Sequence, residues 1–279
     1  MKLFKYYQFI NESKQDIDSI CKKYGIKNYT INEDGSIDVD GNVNLLSRGL
    51  TKLPLKFRNV SGYFSCNSNK LTSLEGAPTS VGGNFYCDNN QLVSLEGAPN
   101  SVGGNFWCNY NQLVSLEGSP TSVGGYFNCS NNKLVSLEGS PTSVGGNFWC
   151  HNNQLTSLEG APTSVGGSFY SSNNQLVSLE GAPTSVGGNF YCHNNQLKDV
   201  YGIKEGYKIK GDFIVDGNPV FGIFKLFPED ARVESIEYLN EYNVIREGNK
   251  VILQALEMVF EELLLDVPEI EYIKGYEII

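Results

Sequence analysis

Cys66, Cys87, Cys108, Cys129, Cys150 and Cys192 are spaced by 21, 21, 21, 21 and 42 residues, and Ser171 fills the skipped position, so the chain repeats with a strict 21-residue period. One unit reads S-V-G-G-N-F-Y-C-D-N-N-Q-L-V-S-L-E-G-A-P, from Ser80 to Pro99. A period of roughly 20 to 50 residues specifies a solenoid, because each unit can bury its apolar face only against its neighbours. A chain of 279 residues with 40% hydrophobic content could otherwise form two compact domains, and the repeat decides against that.

Within a unit the apolar positions are Val81, Phe85, Cys87, Leu92 and Leu95. Phe85 and Cys87 stand two apart and share one face of a short strand. With Asn90 and Leu92 this spacing resembles the leucine-rich repeat, L-x-x-L-x-L-x-x-N-x-L, over most of the chain. The resemblance implies a mainly β solenoid with a parallel sheet on its concave side, one strand per repeat. It also implies an inward ladder of Asn69, Asn90, Asn111, Asn132, Asn153, Asn174 and Asn195, whose amides bond the backbone behind each strand. Glu-Gly-Ala-Pro after Leu95 disfavours helix, so the convex side is expected to consist of turns and extended segments.

Both ends change character. Residues 1–39 read as a leader, a helix and a hairpin. Ile17, Ile20, Cys21 and Tyr24 follow a helical spacing after Ser13, and Gly25 stops the helix. Ile31, Ile37 and Val39 alternate around Asp34-Gly35. The first dozen residues, ending Ile10-Asn11-Glu12, are similar to the capsid-targeting leaders of internal proteins in tailed bacteriophages. Residues 40–220 hold about nine repeats, the first divergent (Val43, Leu45, Leu50, Leu53) and the last offset by 23 residues (Phe213, Val215, Asn218, Val220). Residues 221–279 lose Gly and Ser and read as helical, with Pro228 to Tyr242 as one helix and a second capped by Asn249. Helical caps at both ends would cover apolar surface and strand edges.

Repeats within one chain can be compared with each other. The turn S-L-E-G-[AS]-P-[TN]-S-V-G-G hardly changes, whereas the strand positions of Asn84, Tyr86, Asp88 and Asn89 vary. The Tyr86 column reads Ser65, Tyr86, Trp107, Asn128, Trp149, Tyr170 and Tyr191, and holds both tryptophans. Since Phe85 and Cys87 point inward, this column points outward. Beside it run Asp88, Asn109, Ser130, His151, Ser172 and His193, with Tyr110 adjoining Asn109. Exposed Trp and Tyr bury large area at low entropic cost and dominate binding hot spots. The expected binding residues are therefore Tyr86, Trp107, Tyr110, Trp149, His151, Tyr170, Tyr191 and His193, with a protein partner expected and a glycan as the rival ligand.

The chemistry of catalysis is not legible. Six of the seven cysteines occupy one inward position, where a small apolar side chain packs well, and strand alternation turns His151 and His193 away from them. The Gly-Gly doublets lack a following Lys and precede strands, unlike a phosphate-binding loop. No cofactor or metal is expected, and the chain reads as a non-enzyme. A net charge of −10 without a basic stripe argues against nucleic acid, and no apolar run is long enough to span a membrane. The tail carries thirteen acidic and five basic residues, as a solvated outer face would. The short repeats and the leader suggest a phage or bacterial origin. A cytoplasmic location follows as the expectation, with a virion interior or secretion without a recognisable signal peptide as alternatives.

Overall fold

The computed structural model describes residues 14–204 and 206–279. Ser13 and the leader with Ile10, Asn11 and Glu12 lie outside the described residues. The chain packs as two units, Met1–Lys133 with Gly139–Gly145, and Leu134–Glu138 with Gly146–Ile279.

In the first unit a helix over residues 14–24 ends at Gly25, whose φ of +69° suits a residue without a Cβ. Strands Tyr29–Ile31 and Ile37–Val39 follow as an antiparallel hairpin. Asp34 Oδ1 pins its turn by accepting from the Ser36 backbone N–H (3.0 Å) and hydroxyl (2.5 Å). Parallel coils come next, and each contributes two short strands, not one. Phe85–Tyr86 pairs in register with Phe106–Trp107, and Ser80–Val81 with Ser101–Val102. Among the described residues the Phe-type sheet has five strands in this unit, from Val43–Asn44 to Phe127–Asn128.

The second strand arises from Ser-Val-Gly-Gly, which looks like turn chemistry in isolation. Glycines let successive backbones approach closely: Gly83 N donates to Gly62 O and Gly104 N to Gly83 O, both at 2.9 Å. A Cβ on Gly103 would lie 2.3 Å from Gly82 O, and one on Gly104 would lie 2.2 Å from Asn84 Oδ1. Here glycine serves close packing of backbones; it is not needed for an unusual φ.

The core is a set of columns. Phe64, Phe85, Phe106 and Phe127 stack with centroid separations of 5.6, 5.3 and 5.2 Å, all fully buried. The expected amide ladder is present. Asn111 Nδ2 donates to Cys87 O (3.1 Å) and Cys108 O (3.0 Å), while its Oδ1 accepts from Leu92 N (3.0 Å). One side chain thus satisfies backbone groups on two coils.

The second unit repeats this plan. Phe148–Trp149, Phe169–Tyr170 and Phe190–Tyr191 run in register to Phe213–Ile214, across the final 23-residue step. Asn218 closes the ladder on Cys192 O and Val215 O, each at 2.9 Å. Cys150 Sγ donates to Tyr170 O at 3.3 Å, and Ser171 Oγ donates to Tyr191 O at 3.2 Å. That shared bond explains why serine replaces cysteine at 171 without breaking the stack.

The tail is not purely helical. Helices Phe221–Phe224, Arg232–Glu241 and Leu253–Glu262 flank a hairpin of Ile245–Arg246 and Lys250–Val251, to which Glu277–Ile278 adds in parallel. Asn249 therefore precedes a strand, and Ile252 occupies the N-cap without a side-chain bond. Burial of Val244, Ile245 and Val251 outweighs the capping signal. Phe227 stacks on Phe260 at 4.6 Å, and Tyr276 donates to Lys198 O at 2.5 Å, fastening the tail to the last coils. No described helix is long and apolar enough to cross a membrane.

All seven cysteines are free and buried. Burial pushes the thiols of Cys66, Cys87, Cys108, Cys129 and Cys192 well up, and that of Cys21 up to about 11. Native protein at pH 8 should therefore titrate with almost no reactive thiol, and denatured protein with all seven. A shortfall after denaturation would reveal disulfides.

Candidate outward face

The Phe-x-Cys strands place one residue inward, the next outward and the next inward, and this alternation holds: Phe85 and Cys87 are fully buried while Tyr86 is half-buried. In the first unit Tyr86 and Trp107 stand side by side, ring centroids 6.2 Å apart and tilted by 53°. Asn84 Nδ2 donates to the Tyr86 hydroxyl at 2.7 Å, and its Oδ1 accepts from Asn105 N at 2.8 Å. Asn84 is thus part of a second amide ladder. In the second unit Asn147 accepts from Ser168 N, and Ser168 Oγ from Asn189 N. Sequence reasoning grouped the Asn84 position with freely varying ones, although recurrence of Asn at 84, 105, 147 and 189 was the available signal.

The neighbouring column differs from the solvent-facing border expected for it. Asp88, Asn109, Ser130 and Ser172 are all more than nine-tenths buried. The residue after each, such as Asn89 with φ +53°, turns the chain in the left-handed region and draws the preceding side chain against adjacent coils. Asp88 Oδ2 accepts from Asn89 Nδ2 (2.9 Å) and Asn67 Nδ2 (3.4 Å). Ser130 donates to Asn128 Oδ1 at 2.7 Å.

Tyr110 occupies the left-handed position itself, with φ +53°, where the other coils use Asn, Ser or, at Gly217, glycine. It is 56% exposed. A bulky residue in this region costs about 1 kcal/mol relative to Asn, and little burial offsets it. Tyr110→Asn should therefore raise the unfolding free energy by roughly 0.5–1 kcal/mol in urea titrations; a lower value would mean that the ring packs productively.

In the second unit Trp149 and Tyr170 lie 5.8 Å apart, and Tyr170 stacks on Tyr191 at 4.5 Å with planes 8° apart. Asn189 Nδ2 donates to the Tyr191 hydroxyl at 2.8 Å, and His193 meets Tyr191 edge-on at 6.5 Å. Ser172 Oγ and His193 Nδ1 share a hydrogen bond of 2.9 Å. His151 and His193 are half-buried, outside the buried Cys150 and Cys192. Burial, and secondarily the charge of His193, lowers the His151 pKa. The folded state therefore disfavours the imidazolium, and stability present above the unfolded value of about 6.5 is lost as pH falls through the folded one. His151→Asn should flatten the acid limb of a stability–pH profile; an unchanged limb would assign it to other groups. Among the described residues no three or more His, Cys, Asp or Glu side chains are grouped to hold a metal ion.

Stacked parallel strands at 21-residue spacing, with an amide ladder inside, make the chain a mainly β solenoid that resembles the leucine-rich-repeat fold. No family model matches the chain, and no curated protein does. Among solved structures, YopM from Yersinia enterocolitica WA-314 is similar, with a TM-score of 0.37 and 16% identity over 63% of this chain. The chain spans 47% of that neighbour's length.

Proposed function

We propose that the chain is a non-enzymatic interaction module whose outward rings dock a protein partner. The observation that carries this reading is the split between invariant and variable positions: the buried Phe, Leu and Asn90-type columns and the turns repeat almost unchanged, whereas the outward column, half-buried at its rings, changes residue type and holds both tryptophans. Tyr86 and Trp107 form the docking face of the first unit, with Tyr110 at its edge. Trp149, Tyr170 and Tyr191 form that of the second, beside His151 and His193. A phage or bacterial setting belongs to the same reading.

The test is affinity capture with wild type beside Trp107→Ala/Trp149→Ala. Partners bound by wild type should be lost from the double variant, and retention of all of them would refute the docking face. Half-buried rings bordered by amides would also suit a sugar, so a glycan array decides between ligands. A signal there that free sugar reverses and the double variant lacks would replace the protein partner with a glycan.

A further inference from the structure

The first unit carries a pair of acceptors that the fold satisfies only in part. Asp88 is more than nine-tenths buried, yet both amides that reach it donate to Oδ2. Oδ1 takes no hydrogen bond from the described residues. Among the described residues no Lys, Arg or His pairs with this carboxylate. On the next coil, set beside it by the bond from Asn89 N to Asn109 O (3.0 Å), Asn109 Oδ1 is buried and has no partner. A carboxylate and an orphaned amide oxygen on adjacent coils form a site that accepts hydrogen bonds and donates none through those atoms. Leaving the buried Asn109 oxygen unpaired carries a desolvation cost that a bound donor would recover.

The surroundings select the donor. Tyr86 and Trp107 stand on the same two coils, two residues before Asp88 and Asn109, whose side chains the following left-handed turn draws against adjacent coils. Tyr110, strained and 56% exposed, follows Asn109 directly. Aromatic faces attract cations, and a planar guanidinium presents several N–H donors while stacking on a ring. The net charge of −10 draws basic partners toward the surface.

We propose that Asp88 and Asn109 form a recognition site for a cationic side chain, foremost an arginine, that a protein partner inserts beside Tyr86, Trp107 and Tyr110. This rests on the docking reading above and names the partner chemistry in the first unit.

The test pans a display library of random peptides against the intact chain, then measures each selected peptide on wild type, Asp88→Asn and Trp107→Ala. Asparagine at 88 keeps an oxygen for the Asn67 and Asn89 amides, and a matching thermal midpoint checks that this variant is folded. Peptides enriched in Arg or Lys should emerge, bind at least tenfold more weakly to both variants, and lose as much when Arg becomes citrulline. Peptides that need Trp107 but are indifferent to Asp88→Asn, or carry no basic bias, would overturn the cation site and leave the docking face standing. Failure to select any peptide that depends on Trp107 would overturn both.

Discussion

Gly103→Ala is expected to be among the most damaging single substitutions in the chain. Its Cβ would lie 2.3 Å from the backbone oxygen of Gly82, with no flexible side chain to yield. Relief requires the two coils to separate, which weakens the bonds from Gly103 N to Val81 O (3.0 Å) and from Gly104 N to Gly83 O (2.9 Å). Overpacking and two impaired hydrogen bonds together should cost about 3 kcal/mol or more. Ser101→Ala, two residues away and exposed, should stay within about 0.5 kcal/mol. Urea midpoints for the pair would decide; equal effects would mean that the glycine corners do not pack backbone on backbone.

Asn111→Ala should cost as much for a different reason. Its removal strands the Leu92 N–H and takes one of two amide donors from the oxygens of Cys87 and Cys108, which Asn90 and Asn132 still reach. The orphaned N–H costs about 1–3 kcal/mol and each lost bond to a still-bonded oxygen about 0.5–1.5 kcal/mol, so a loss of about 3 kcal/mol follows. Asn131→Ala is the control. Asn131 adopts φ +56° on the same coil edge as Asn132 and lies outside the ladder, so its loss should be the smaller one. Unfolding free energies that rank the two the other way would remove the ladder from the account of stability.

Those contributions differ in how far the sequence discloses them. The period and the inward Phe, Cys and Leu columns follow from spacing, because each repeats with the coil and has one physical use, and the Asn90-type ladder follows from the resemblance to the leucine-rich repeat. The Ser-Val strand was not legible: two residues beside two glycines carry no alternation, and only pairing with neighbouring coils makes them extended. The Asn84-type ladder was hidden by Tyr63, Tyr126 and Ser168, which break the run of Asn and make the column look free, although Ser168 Oγ carries the ladder on to Asn189 N. At the candidate site, strand alternation placed Tyr86, Trp107 and their equivalents on the outward side. It misplaced Asp88 and Asn109, since the left-handed turn that buries them begins one residue later. In the tail, Asn249 looked like a cap because capping is local, whereas the Lys250–Val251 strand depends on the distant Glu277–Ile278.

The central claim is that residues turned inward hold the coils while the rings turned outward are free to bind. Its most direct test is the thermal midpoint of Trp107→Ala/Trp149→Ala measured beside Phe106→Ala. Phe106 is fully buried between Phe85 and Phe127, and its truncation should cost about 3–5 kcal/mol and lower the midpoint by roughly 10 °C. The double tryptophan variant should melt within about 4 °C of wild type. A double variant that melts as early as Phe106→Ala would show that the rings hold the fold together, and the binding face would have to be given up.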